Sequence, residues 1–136
     1  MRAFAIIVTF GFAAYLILLG LVALADPPRT FNFLRKFAQT RTANAFEAAC
    51  RIAVGLSFVT LAQDLPIRLA FLIFGWVLII SAIAMLALPD LHRRFADRAV
   101  PAVGRFIRPI GIVSLAAGCL IAIVLWPLIA FGPTPY

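Results

Sequence analysis

The chain has 136 residues, of which 65% are apolar and 12% charged, and its mean hydropathy is +1.10. A soluble domain carries about a quarter charged residues, so this composition excludes a water-solvated globule and points to a chain whose solvent is lipid. Twelve Lys and Arg against five Asp and Glu leave a net charge of +7, but every basic cluster is interleaved with Phe, Leu or Val, which excludes the uniformly polar arm that binds nucleic acid.

The first apolar stretch runs from Ala3 to Ala25, long enough for the ~20 residues that carry a helix across hydrocarbon. Ala23-Leu24-Ala25 before Asp26 has the small-x-small shape of a signal-peptidase site. The apolar run is longer than a usual signal h-region, and cleavage would put the Arg-rich third connection outside, so a retained span is expected. Asp26-Pro27-Pro28 ends it and also starts a helix, with Asp26 as N-cap and Pro27 at the first helical position, where a missing N–H costs nothing. From Pro27 to about Gln39, Phe33, Leu34, Phe37 and Ala38 share a face, while Asn32, Arg35, Lys36 and Gln39 lie elsewhere. That is the pattern of a basic helix lying in the headgroup plane.

The second span is expected over Asn44–Gln63. Asn44 would cap it with Glu47 at N3, and Glu47 to Arg51 is the favourable i,i+4 order for an ion pair. Charge inside a membrane span flags function by default. Here capping, pairing and snorkelling from the first two or so turns account for both residues. Asp64-Leu65-Pro66 is a tight turn, so the second and third spans form an antiparallel hairpin. The third span covers about 67–88 and carries Gly75 and Ala82 on one side. In the third connection Asp90 can cap a helix with Leu91 and Phe95 on one side and Arg93, Arg94 and Arg98 around the other, until Pro101 and Gly104 interrupt it. The fourth span covers about 110–131, where Gly111, Ser114, Gly118 and Ala122 fall at spacings of three, four and four. Such a stripe lets another helix approach closely. Ala45, Ala48, Ala49 and Ala53 do the same on the second span, and Trp126-Pro127 reads as interfacial anchor and terminator. These stripes are expected to join the four spans to one another before any outside partner. The order span, basic connection, span occurs twice, but the two copies align poorly as residues.

The resulting expectation is an all-α integral membrane protein in a single domain (1–136), with four transmembrane helices and two short interfacial amphipathic helices in the basic connections. Nine basic residues fall in the first and third connections, against Arg2 and Arg68 on the other side. By the positive-inside bias both termini lie outside the cytoplasm. Abundant Ala and Arg with a single Lys suit a bacterial inner membrane.

Reactive chemistry is hard to assemble from this inventory. His92 is the only histidine and stands beside Arg93 and Arg94, which repel cations, so no metal site is expected, and no span offers a His to ligate haem. Cys50 and Cys119 enter from the same side at different depths, which suits packing better than a disulfide. Ser57, Ser81 and Ser114 have no intramembrane His or Lys to activate them, and Glu47 has no second carboxylate beside it. No enzyme and no cofactor are therefore expected. The function anticipated is a non-catalytic accessory or scaffold subunit of a larger inner-membrane complex, energy-converting ones included. It would pack against other integral membrane proteins, or itself as a homo-oligomer. Phe33, Phe37, Phe95, Arg35, Lys36, Arg93, Arg94 and Arg98 would hold anionic lipid headgroups or an acidic partner. The alternative is a small homo-oligomeric transporter or channel with Glu47, Arg51, Thr60 and Gln63 along a path, which the scarcity of polar groups at mid-span disfavours.

Overall fold

The computed structural model describes residues 1–37 and 40–132, and at 37, 89, 91–93, 96, 97 and 100 it describes the backbone alone. Among the described residues all regular structure is helical: α1 (Arg2–Ala25), α2 (Pro27–Phe37), α3 (Arg41–Leu61), a 3-10 turn (Ala62–Asp64), α4 (Arg68–Ala87), α5 (Pro89–Arg105) and α6 (Ile107–Ala130). Four of these segments are long and apolar enough to cross a membrane: Arg2–Ala25, Arg41–Asp64, Arg68–Ala87 and Ile107–Ala130.

Helix boundaries follow from local chemistry, and three differ from expectation. Asp26 caps α2 as its sequence implies, its Oδ1 accepting from the Arg29 N–H at 3.1 Å. The cap of α3 is Thr40, not Asn44. Thr40 is extended, its Oγ1 accepts from the Ala43 N–H at 3.1 Å, and the Asn44 N–H is already committed to the Thr40 carbonyl at 3.0 Å. With α3 beginning at Arg41, Glu47 stands almost two turns inside and is not part of a capping box. α5 likewise starts at Pro89, with Leu88 at the N-cap position and Asp90 in the first turn rather than capping it. α5 then continues through Pro101 to Arg105, because a proline removes one N–H from a helix already nucleated and costs a single rung. Finally α6 begins at Ile107, ahead of the expected 110. Pro109 falls in its first turn, where N–H groups have no intrahelical partner to lose.

These four long apolar helices form a row in the order α4, α3, α1, α6, with α4 and α6 at the ends and scarcely meeting. The pairs α1/α6 and α3/α4 are antiparallel and very close. A Cβ on Gly20 would lie 2.7 Å from the Gly111 carbonyl oxygen, and one on Gly118 would lie 2.7 Å from that of Ala13. In the other pair a Cβ on Gly55 would meet the Gly75 carbonyl oxygen at 2.7 Å, and fully buried Ala48 packs with fully buried Ala82. The contacts repeat at seven residues on every helix: Ala13 and Gly20, Ala48 and Gly55, Gly75 and Ala82, Gly111 and Gly118. Two turns of helix separate each pair, so one flat seam of small residues faces the partner, and dispersion at short range holds backbones that lipid alone would not press together.

The four helices share one core at the end that carries the α3–α4 turn, built from Ala5, Phe58, Leu61, Leu65, Phe71, Leu125 and their neighbours. Phe58 meets Phe71 at a ring separation of 4.9 Å and Phe12 edge-on at 5.9 Å. Toward the opposite end the second core cluster belongs to α3 and α4 alone. There α2 and α5 come together, Phe31 of α2 lying over Gly104 of α5.

Candidate functional site

Away from the ends of the four long helices, the charged side chains are Glu47 and Arg51, and they meet. Arg51 of α3 donates through both Nε, at 3.0 Å, and Nη2 to the single Glu47 oxygen Oε1, a charge-assisted pair in which one carboxylate oxygen accepts twice. Its Nη1 reaches across the helix pair to Ser81 Oγ of α4 at 3.2 Å, and Ser81 in turn donates to the Leu78 carbonyl at 2.9 Å. All three residues are half-buried. Ser81 lies six residues before the end of α4 at Ala87, about 9 Å along the helix. The guanidinium therefore lies within the apolar length of the helix pair, its charge balanced by Glu47 and a further donor used by Ser81.

The i,i+4 pair was visible in the sequence; the bond to Ser81, thirty residues away, was not. Ser81 has no base to activate it as a nucleophile, and its part here is to accept from an arginine. Of the other polar residues, Thr60 returns its hydroxyl to the Leu56 carbonyl at 2.8 Å, and Gln63 is exposed. Arg51 and Thr60 are nine positions apart on α3, half a rotation at 100° per residue, and so occupy opposite sides of the helix.

The basic residues gather at the end where α2 meets α5. Arg35, Lys36, Arg94 and Arg98 are exposed, as are Phe33 and Phe95. The side chains of Phe37, Leu91, His92 and Arg93 lie outside the described residues. The inward face of α2 is Thr30, Phe31 and Leu34: Thr30 is buried and donates to the Asp26 carbonyl at 3.3 Å, Phe31 covers α5, and Leu34 is half-buried. Counted from the sequence, this end holds nine basic residues against Asp26, Asp90 and Asp97. Arg41 and Arg108 even occupy first turns of helices, where the macrodipole disfavours a cation. Helix electrostatics does not explain their position. At the other end Arg2 and Asp64 form an ion pair at 2.8 Å, joining the start of α1 to the α3–α4 turn.

Gly111, Gly118 and Gly75 make the closest helix approaches, while Ser114 and Ala122 are half-buried beside the α1/α6 seam. On α3 the stripe is narrower than its alanines suggest: Ala48 is buried, Ala53 half-buried, and Ala45 and Ala49 are exposed. Gly20 and Gly55, which complete the seams, carried no signal beyond being small. Cys50 and Cys119 are free thiols, both exposed. Among the described residues no three His, Cys, Asp or Glu side chains come together as metal ligands. Comparison with protein families, with curated proteins and with solved structures finds no match.

Proposed function

We propose that this chain is a non-catalytic subunit that packs laterally in a larger assembly of a bacterial cytoplasmic membrane, energy-converting complexes being the kind in view. Both termini would lie outside the cytoplasm, with α2 and α5 on the inner surface, their bases on anionic lipid or an acidic neighbour. One observation carries the reading: the intramembrane charge is spent within the chain, Glu47 on Arg51 and Arg51 on Ser81, in a latch between α3 and α4. Charges paired with each other and bonded across the helix pair already have a structural part, which makes them less available to a substrate or a translocated ion. Around it the perimeter offers large apolar side chains such as Trp76, Ile80, Ile83 and Ile123, suited to lipid and to the spans of other proteins.

A homo-oligomeric transporter fits less well, because Arg51 bonds across to α4 whereas Thr60 lies on the opposite side of α3, so the two do not share one path. Purification in a mild detergent from native membranes tests the choice. Stable unlike membrane proteins in stoichiometric amount support the subunit. A pure homo-oligomer that moves a solute or ion across vesicles overturns it.

A further inference from the structure

Between the two end helices of the row lies an apolar groove with a cavity volume of about 280 Å³. Its walls are α4 and α6, and Phe12 and Leu16 of α1 with Phe58 of α3 line its floor. The groove exists because α4 and α6 scarcely touch and because the residues facing across it include Ala70 and Ala117. It begins at Ile67, one residue before α4, and extends to Leu78 at the helix midpoint, about 16 Å along the axis. The empty space between the walls is at most about 790 Å³, a mean section of no more than about 50 Å² over that length. A helix with side chains, 10–12 Å across, needs roughly 80 Å² or more, so another span cannot enter. A single file of methylenes, packing at carbon separations of about 3.5–4.0 Å, can.

Charge at the mouth favours one class of occupant. Arg68 does not itself line the groove but follows the lining residue Ile67 directly, is exposed, and makes no ion pair among the described residues, whereas Arg2 is already paired with Asp64. An arginine at the first turn of a span places its guanidinium at headgroup level. We propose that the groove holds one acyl chain of an anionic phospholipid, with the phosphate at Arg68. The lipid would come from the leaflet at the end bearing the termini, and it would differ from the annular lipid that slides over the other faces. The inference rests on the chain's crossing a bilayer and is independent of whether a protein partner exists.

The test uses the full chain in phosphatidylcholine vesicles doped with phosphatidylglycerol whose tails are brominated, a contact quencher of tryptophan. One reporter is Phe74→Trp, in the groove, with Trp76→Phe and Trp126→Phe. The other keeps Trp76, which is exposed on another side of α4, with only Trp126→Phe. The groove reporter should reach half-quenching at a severalfold lower fraction of brominated lipid than the Trp76 reporter. Filling the groove by Ala117→Phe, or from the facing wall by Ala70→Phe, should bring the two curves together. Arg68→Gln should erase the advantage of phosphatidylglycerol over brominated phosphatidylcholine. Coincident curves in the starting protein overturn the proposal, as does an advantage that survives both filling variants. Loss of groove quenching as protein density rises also overturns it, since a second copy would then be the occupant. Failure of the subunit reading would show in the pull-down and leave these curves unchanged.

Discussion

Gly20→Ala is the sharpest test of how the spanning helices are held. The added Cβ would stand 2.7 Å from the Gly111 carbonyl oxygen and 2.8 Å from the Leu115 nitrogen and Cβ, against ordinary contacts that begin at 3.4 Å. Backbone atoms cannot swing aside, so α1 and α6 must part by about 0.7 Å along the seam and loosen the matching contact at Gly118. Overpacking of this kind costs about 1–3 kcal/mol, offset by less than about 1 kcal/mol of improved helix propensity. The net expectation is a loss of about 1–2 kcal/mol. Gly11→Ala is the control: a Cβ there meets nothing within 4 Å, so only the propensity gain applies. Unfolding by SDS from mild-detergent micelles, followed by tryptophan fluorescence, measures both. Pairing the change with Gly111→Ala should be less than additive, because both variants strain one contact. Pairing it with Gly55→Ala should add within about 0.5 kcal/mol. Equal midpoints for Gly20→Ala and Gly11→Ala would refute the close-seam account.

Ser81→Ala should weaken the α3–α4 pair by roughly 0.5–2 kcal/mol, and in a double-mutant cycle with Arg51→Ala the two changes should couple; independent effects would show that the cross-helix bond contributes nothing. Glu47→Gln keeps an acceptor for Arg51 and should alter stability by about a kcal/mol or a little more, with assembly intact; abolished activity in a normally folded and assembled variant would instead mark a working site. With Cys50 and Cys119 replaced by Ala, Gln63→Cys should react with an impermeant maleimide from outside intact cells and Thr40→Cys should not; the reverse pattern would invert the topology. Changing Arg93, Arg94 and Arg98 together to Gln removes about 1 kcal/mol of headgroup attraction per charge, and should reduce retained anionic lipid or partner most at low salt. Unchanged retention in correctly inserted protein would limit these residues to setting orientation.

How many times this chain can cross a bilayer is written in its local sequence, because a run of about 20 apolar residues satisfies its own backbone only as a helix and needs no partner to do so. The stops are local as well: Asp26 before two prolines, and the short Asp64–Pro66 turn, which forces α3 and α4 into a hairpin. The start of α3 was decided by a competing cap. Thr40 and Asn44 are both good caps, and only the backbone at Thr40, extended and bonded to Ala43, chose between them. Which helix lies beside which was not legible. Lipid tails are as apolar as leucine, so no amphipathic stripe names a neighbour, and α1 could as well have paired with α4 as with α6. The seven-residue spacing of small residues is present in all four spans, yet among so many alanines it stands out only once the antiparallel register is known. Gly11 and Gly20 look alike in the sequence, but the fold leaves one in open space and sets the other against a carbonyl oxygen. The bond from Arg51 to Ser81 and the ion pair from Arg2 to Asp64 likewise join residues that only tertiary packing brings together. Local chemistry fixed the helices; the shape of their small-residue seams, a property of pairs of surfaces, fixed their arrangement and opened the groove between α4 and α6.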